Sequence, residues 1–153
     1  MRNIILTRVD DRLLHGQVVV SWIPYLKTDE VVIIDDQLAN DDFMRLMIKE
    51  AAPNNIKVHV LTVESAITYL KENDEGASAL ILLKEIEYIK ILLEQNVDLK
   101  KINLGNLGSD TNRKKYSSSV YLSDDEFNLL EEVSKKINIE YQMLPKDKPM
   151  KFQ

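Results

Sequence analysis

Cysteine is absent from the 153-residue chain. Its absence removes disulfides, thiolate nucleophiles and Cys-ligated metals, and suits a reducing compartment. Histidine is scarce, with His15 and His59 alone, too few for an ordinary zinc site once cysteine is gone. Glycine and proline number four each, and no linker rich in either, no repeat and no low-complexity tract divides the chain. One domain spanning 1–153 is expected. No apolar run approaches the roughly 20 residues that cross a bilayer. The short apolar stretch in residues 1–7 runs straight into carboxylates, unlike a signal peptide, so the expected location is the cytoplasm. Basic charge is in deficit as well. The net charge is −5, whereas general nucleic-acid binders are basic, and no nucleic-acid partner is expected. Neither G-x-x-x-x-G-K-[ST] nor G-x-G-x-x-G occurs, and Gly105-x-x-Gly108 alone is no nucleotide fingerprint.

What is present is alternation. Apolar, β-branched runs at Asn3–Thr7, Glu30–Asp35, Lys57–Leu61, Ala79–Leu83 and Lys101–Leu104 read as strands, most of them buried on both faces. Ser118–Leu122 and Glu140–Leu144 are two further candidates. Helical spacing separates them: Val18 to Leu26, Phe43–Met47–Ile48–Ala51 ending at Pro53, Ala66–Tyr69–Leu70 behind a Thr62 cap, and Ile86–Ile89–Leu92–Leu93. Ser123-Asp124-Asp125-Glu126 has the capping-box form and leads into Phe127–Leu130–Val133–Ile137. The expected fold is α/β: a mainly parallel, twisted sheet of about six or seven strands, helices on both faces, and one edge open to an antiparallel strand. Ligands in such folds sit beyond the carboxyl ends of the strands. Attention therefore falls on 8–17, 35–42, 62–65, 84–85 and 105–115.

The first of these loops packs two Arg, two Asp and one His into the eight residues from Arg8 to His15. His15 stands at or just before a helix N-terminus, where the unbonded N–H groups of Gly16, Gln17 and Val18 favour an anion. Gly16 carries no side chain to block a close approach. A neutral imidazole is a good phosphorus nucleophile, because one ring nitrogen keeps a free lone pair. A carboxylate on the other nitrogen fixes the tautomer and stabilises positive charge during attack. Asp10 and Asp11 are both candidates, and spacing does not choose between them. Arg8 and Arg12 are candidates for bidentate grip on phosphate oxygens.

The loop reads R-x-D-x-R-x-x-H-G-Q through Arg8, Asp10, Arg12, His15, Gly16 and Gln17. In this it closely resembles the active-site loop of the IIB component of the mannose/fructose/sorbose-type sugar phosphotransferase system. Trp22, the segment Asp35-Asp36 with Ala39 and Asp41, Ala52-Pro53 and Asn103-Leu104-Gly105 extend the resemblance over most of the chain. The resemblance implies a phosphotransferase without metal or other cofactor. His15 would accept phosphate on Nδ1 from a phosphohistidine of the IIA component. It would pass it to a sugar held by the membrane components IIC and IID, with the chain peripheral to that complex and often a homodimer. Many family members read N-V-G-G where this chain has Asn103-Leu104-Gly105-Asn106, so loop 105–115 is expected to be a substrate or partner surface. Arg113 is a candidate there for the phosphate or the IIA partner.

Other residues invite plainer readings. His59, between Val58 and Val60, is expected to be structural, and Trp22 to be packing. Helix capping accounts for one or two of Asp35, Asp36 and Asp41, with a lining role beside His15 as the alternative. Tyr116-Ser117-Ser118-Ser119 reads as a strand-entry turn. A receiver-type switch would need an acceptor Asp after the third strand, where the chain reads Leu61-Thr62-Val63-Glu64. A non-catalytic partner module would tolerate replacement of His15.

Overall fold

Val31–Ile34 and Leu80–Leu83 offer no polar alternate positions, and strands of that kind must be covered on both faces. The computed structural model describes residues 2–72 and 78–152 and buries both runs completely. In chain order the elements are β1 (Asn3–Asp10), a π-helical turn (Val18–Trp22) running into α1 (Ile23–Leu26), β2 (Glu30–Ile34), α2 (Asp36–Ala39), α3 (Asp42–Ala51) and β3 (Lys57–Leu61). Then follow α4 (Val63–Lys71), β4 (Ser78–Leu83), α5 (Glu87–Glu94), β5 (Lys101–Asn106), β6 (Lys114–Lys115), β7 (Tyr121–Leu122), α6 (Asp124–Val133), β8 (Asn138–Tyr141) and β9 (Met150–Lys151). The main sheet runs β3-β2-β4-β1-β5-β8-β9, with β9 antiparallel to β8 and the other pairs parallel.

Two apolar clusters lie on opposite faces of the sheet. One joins Val32, Ile34, Ile81 and Leu83 to Ala66 and Leu70 of α4, Ile89 and Leu92 of α5, and Leu130 and Val133 of α6. The other joins Val31, Ile33, Leu80 and Leu82 to Val18, Trp22 and Ile23. Strand alternation thus sends successive residues to different helices. The chain leaves β1 toward β2 and β3, returns through β4, and crosses β1 to β5, so the strand order reverses around β1 and β4. That reversal marks where an α/β sheet opens a crevice for ligands.

The helix starts follow their caps. Asp35, Asp41 and Thr62 accept the N–H of Leu38, Met44 and Ser65, and Ser123 with Glu126 closes the expected capping box. The expected antiparallel edge is present as β9, beside the Glu140–Leu144 candidate, which as β8 runs parallel to β5. Two expectations are corrected. The Ser118–Leu122 candidate leaves the main sheet and pairs, as β7, with β6. The stripe of α3 is split: Phe43 is 66% exposed and Met47 53%, and of its members Ile48 packs on the sheet. Among the described residues no helix is long and apolar enough to cross a membrane.

At the amino end of the sheet Glu30 is buried, accepting the Tyr69 hydroxyl at 2.7 Å, with His59 Nε2 at 3.5 Å and Arg2 at 3.6 Å. His59 is thus a structural partner of Tyr69, at 3.0 Å. Burial raises the Glu30 carboxyl, but hydrogen bonds from His59 and Tyr69 and the charge of Arg2 outweigh it and hold it below its ordinary value of 4.5. A carboxylate depressed in the folded state binds more protons when unfolded, so its contribution is complete above about 4.5 and is lost as pH falls through the folded value. Urea midpoints should therefore stay level from neutral pH to about 5 and fall below it. Glu30→Gln should cost about 1–3 kcal/mol at pH 7, with the two curves converging in acid.

Candidate active site

Arg8 pairs across the ladder with Leu82 on one side and Asn103 on the other. It therefore points to the sheet face shared by Leu82 and Trp22. Asp10, two residues on, has the same parity. Arg8 and Asp10 are both 0% exposed, and Arg8 Nη2 lies 3.5 Å from Asp10 Oδ2. Nη1 donates to Asn103 Oδ1 and, at 2.9 Å, to the Gln142 carbonyl. Nη2 donates to the Met143 carbonyl at 2.8 Å. The guanidinium stacks 4.7 Å from the Trp22 ring centroid, while the indole N–H donates to the same Met143 carbonyl at 3.0 Å. A Cβ on Gly105 would overlap the guanidinium, so only glycine fits there. Burial pulls Arg8 down to about 10, still cationic at neutral pH. Arg8 was a candidate for gripping phosphate; its strand position directs the guanidinium inward, and its terminal N–H groups are spent on the protein.

Beyond Asp10 the chain turns sharply. Leu13 N–H donates to the Asp10 carbonyl at 3.0 Å, and Arg12 N–H to Asp10 Oδ1 at 3.0 Å. Leu13 takes a left-handed φ of 54°, a strained choice for a residue with a branched side chain. Its burial among Leu6, Val18 and Trp22 holds it there. The turn delivers His15 back over Asp10, with Nε2 donating to Asp10 Oδ2 at 3.0 Å. In a neutral ring bonded this way, Nδ1 keeps its lone pair. The imidazole side chain keeps 15% of its surface in solvent.

The His15 carbonyl accepts Val19 N–H at 3.0 Å, so the helix begins at His15. The first-turn amides of Gly16, Gln17 and Val18 have no carbonyl one turn behind them within the helix. The space beside Gly16 is open, with nothing within 4 Å of where a Cβ would stand. The helix opens with the α-type bond from Val19 N–H to His15 O and widens at Val18 into a π turn closed by Ile23 N–H on Val18 O, just before Pro24, which brings no N–H to the ladder. Arg12 reaches the same corner, its Nη2 donating to Gln17 Oε1 at 3.1 Å and its Nε lying 3.6 Å from Asp10. Its side chain is 45% exposed, so it is free to re-aim.

The choice between Asp10 and Asp11 is made by geometry. Asp11 turns away and accepts Asn106 Nδ2 at 2.7 Å and Gly108 N–H at 2.8 Å. Arg113 is committed too. It clasps Glu126 with two hydrogen bonds of 3.0 Å and donates to the Gly108 carbonyl at 3.1 Å. Asp35 and Asp41 cap helices, and Asp36 accepts Val63 N–H at 2.8 Å. Ser119 donates to the Gly105 carbonyl at 2.7 Å, within the turn that enters β7. The Gln142 and Met143 carbonyls escaped sequence reasoning, because a backbone acceptor has no signature in residue type. Among the described residues no cluster of ligands could hold a metal ion.

This arrangement can present a nucleophilic nitrogen to an anion beside a helix start and a mobile guanidinium. Residues 4–153 match the family model described as PTS system sorbose subfamily IIB component, PTS denoting the phosphotransferase system. The PTS system fructose-specific EIIB component of Bacillus subtilis (strain 168) is 30% identical over 149 residues, covering 96% of this chain and 91% of that protein. The N-acetylgalactosamine-specific phosphotransferase enzyme IIB component 1 of Escherichia coli (strain K12) is 31% identical over 147 residues, covering 95% and 93%. The crystal structure of manxB from Thermoanaerobacter tengcongensis superposes with a TM-score of 0.91 at 33% identity, covering 99% of this chain and 93% of that one. The chain belongs to the sorbose subfamily of phosphotransferase-system IIB components.

Proposed function

We propose that this protein is a phosphoryl carrier in sugar uptake, with His15 as the phosphorylated residue. The observation that carries the reading is the hydrogen bond from His15 Nε2 to the buried Asp10 carboxylate. It supports a tautomer in which Nδ1 is the nucleophile. In the accepting step, Nδ1 attacks phosphorus on a phosphohistidine of the IIA component. A P–N bond forms as the donor's P–N bond breaks, and the donor imidazole keeps the electron pair. The Nε2 proton stays between His15 and Asp10, whose charge stabilises the ring as it becomes cationic. In the delivering step a sugar hydroxyl attacks phosphorus, the Nδ1–P bond breaks, and the hydroxyl proton leaves to solvent or to a base beside the sugar.

Exchange of one phosphohistidine for another replaces like with like, so the first step should be readily reversible. Stabilisation of the transferring group falls to Arg12 and the first-turn amides of Gly16 and Gln17. Arg8 acts beneath, by fixing Asp10. The sugar would be held by membrane components of the IIC and IID type, with this chain at the cytoplasmic face. The relatives' different sugars leave that specificity to the membrane partners. A homodimer belongs to the same reading, and the outward Phe43, Leu46 and Met47 of α3 offer apolar surface for one.

Phosphorylation by the upstream donor chain should place acid-labile, alkali-stable label on the wild type and none on His15→Ala; equal label on both would move the site elsewhere. Asp10→Asn can present an amide N–H to Nε2 and reverse the tautomer, and should slow acceptance roughly a hundredfold or more. Nitrogen chemical shifts of His15 would report the change directly. Arg8→Met should lower stability by about 3–5 kcal/mol, because Asp10 is left buried without its cation. Unchanged unfolding with slowed transfer would mean that Arg8 meets the phosphate after all.

A further inference from the structure

The ladder aligns three strand ends at the carboxyl edge. Leu83 of β4 is level with Ile34 of β2 and with Val9 of β1. The residues that follow these pairs, Asp35, Lys84 and Asp10, leave three adjacent strands side by side, where neighbouring strands stand roughly 4.8 Å apart. Two residues back from Lys84, Leu82 lies level with Arg8 and Ile33, on the sheet face that carries Trp22. Alternation therefore directs these residues to the face covered by the helix that starts at His15. A lysine thus stands between two buried carboxylates, one of which holds the His15 ring.

The two carboxylates are not equally available. Asp10 is engaged by His15, Arg8 and Arg12. Asp35 uses Oδ1 to accept Leu38 N–H at 2.9 Å, and its Oδ2 lies 3.8 Å from Lys84 Nζ, beyond hydrogen-bond length. Among the described residues this is the one contact of the Lys84 ammonium. Its side chain is 34% exposed. Arg8, by contrast, has spent its terminal Nη1 and Nη2 groups on the protein, and Arg113 is clasped by Glu126. Lys84 therefore keeps its three donors in reserve on a flexible four-carbon stem.

We infer that Lys84 is a further phosphate-binding residue, leaving Asp35 to meet the phosphoryl group carried by His15. The inference rests on the proposed phosphorylation of His15. A phosphoryl group on Nδ1 brings up to two negative charges to the solvent side of Asp10, a stronger attractor than the single charge of the buried Asp35, one oxygen of which is already used as a cap. Lys84 and Arg12 approach from opposite flanks, Lys84 from the β4 end and Arg12 from the turn. Lys84 stays an ammonium throughout. It gives up no proton, and the only bonds exchanged are the two P–N bonds of the accepting step.

The test uses the whole chain with Lys84→Met and Lys84→Arg, phosphorylated by phosphoramidate so that no partner enters the measurement. The phosphorus chemical shift is followed against pH. A nearby ammonium favours the dianion, so Lys84→Met should move the phosphoryl ionisation upward by about 0.5 pH unit, and Lys84→Arg should restore it. Transfer from phosphorylated IIA should slow about tenfold in Lys84→Met and recover in Lys84→Arg. An ionisation unchanged in Lys84→Met overturns the inference, whatever the transfer rate does, because a merely structural lysine would leave it in place. If the methionine variant does not fold, Lys84→Gln carries the same comparison. Failure of the underlying reading looks different: label would then persist on His15→Ala.

Discussion

Everything at the carboxyl edge of this sheet is arranged around one buried cation. A guanidinium taken out of water costs several kcal/mol unless its donors and charge are met. Arg8 is met by the Asn103 side chain, the Gln142 and Met143 carbonyls, the Trp22 ring and the Asp10 carboxylate. These partners come from β1, β5, the segment after β8 and the first helix. Removing Arg8 would leave the buried Asp10 without its buried cation, with only the half-exposed Arg12 and the His15 ring against it, and four elements without their common tie. Gly105 belongs to the same constraint, since any side chain there would occupy the place of the guanidinium.

The consequence for chemistry is a division of labour among cations. A site that accepts and surrenders a phosphoryl group must hold its nucleophile still while its charge-bearing groups adapt. Arg8 is rigid and neutralises Asp10 from below. With Asp10 fixed, the His15 ring is oriented by a carboxylate that cannot swing away. Arg12 is half exposed and tied only loosely to Asp10 and Gln17. The sequence motif carries two arginines four residues apart, and they stand in opposite settings, one buried within a strand ladder and the other half exposed on the turn beyond it.

Much of this was legible in the residues. Continuous apolar runs placed the buried strands to within a few residues, and Thr62, Ser123 and Glu126 announced helix starts because capping is a local interaction. His15 drew attention through its place between a first strand and a helix start, among two arginines and two aspartates, and it lies over the buried Asp10 carboxylate. What stayed hidden depended on neighbours distant in sequence. The inward direction of Arg8 is decided by Leu82 and Asn103, its ladder partners. The outward turn of Phe43 and Met47 is decided by Ile48, which takes the contact with the sheet. The strand β9 is two residues long, and so short a run carries no periodicity to read.

The choice between Asp10 and Asp11 shows how adjacent, identical side chains acquire different work. Strand parity sends Asp10 inward, onto Arg8 and beneath His15. Asp11 goes the other way, to Asn106 and the Gly108 amide. Asn106 stands where many family members have glycine, and its side chain makes a contact with Asp11 that glycine could not. Gly108 is held in turn by Arg113, which is clasped by Glu126 at the start of α6. A chain of direct contacts therefore runs from the turn that carries His15, through Asp11 and loop 105–115, to a helix on the far face of the sheet. Through it, the loop that carries Asn106 braces the turn that carries His15.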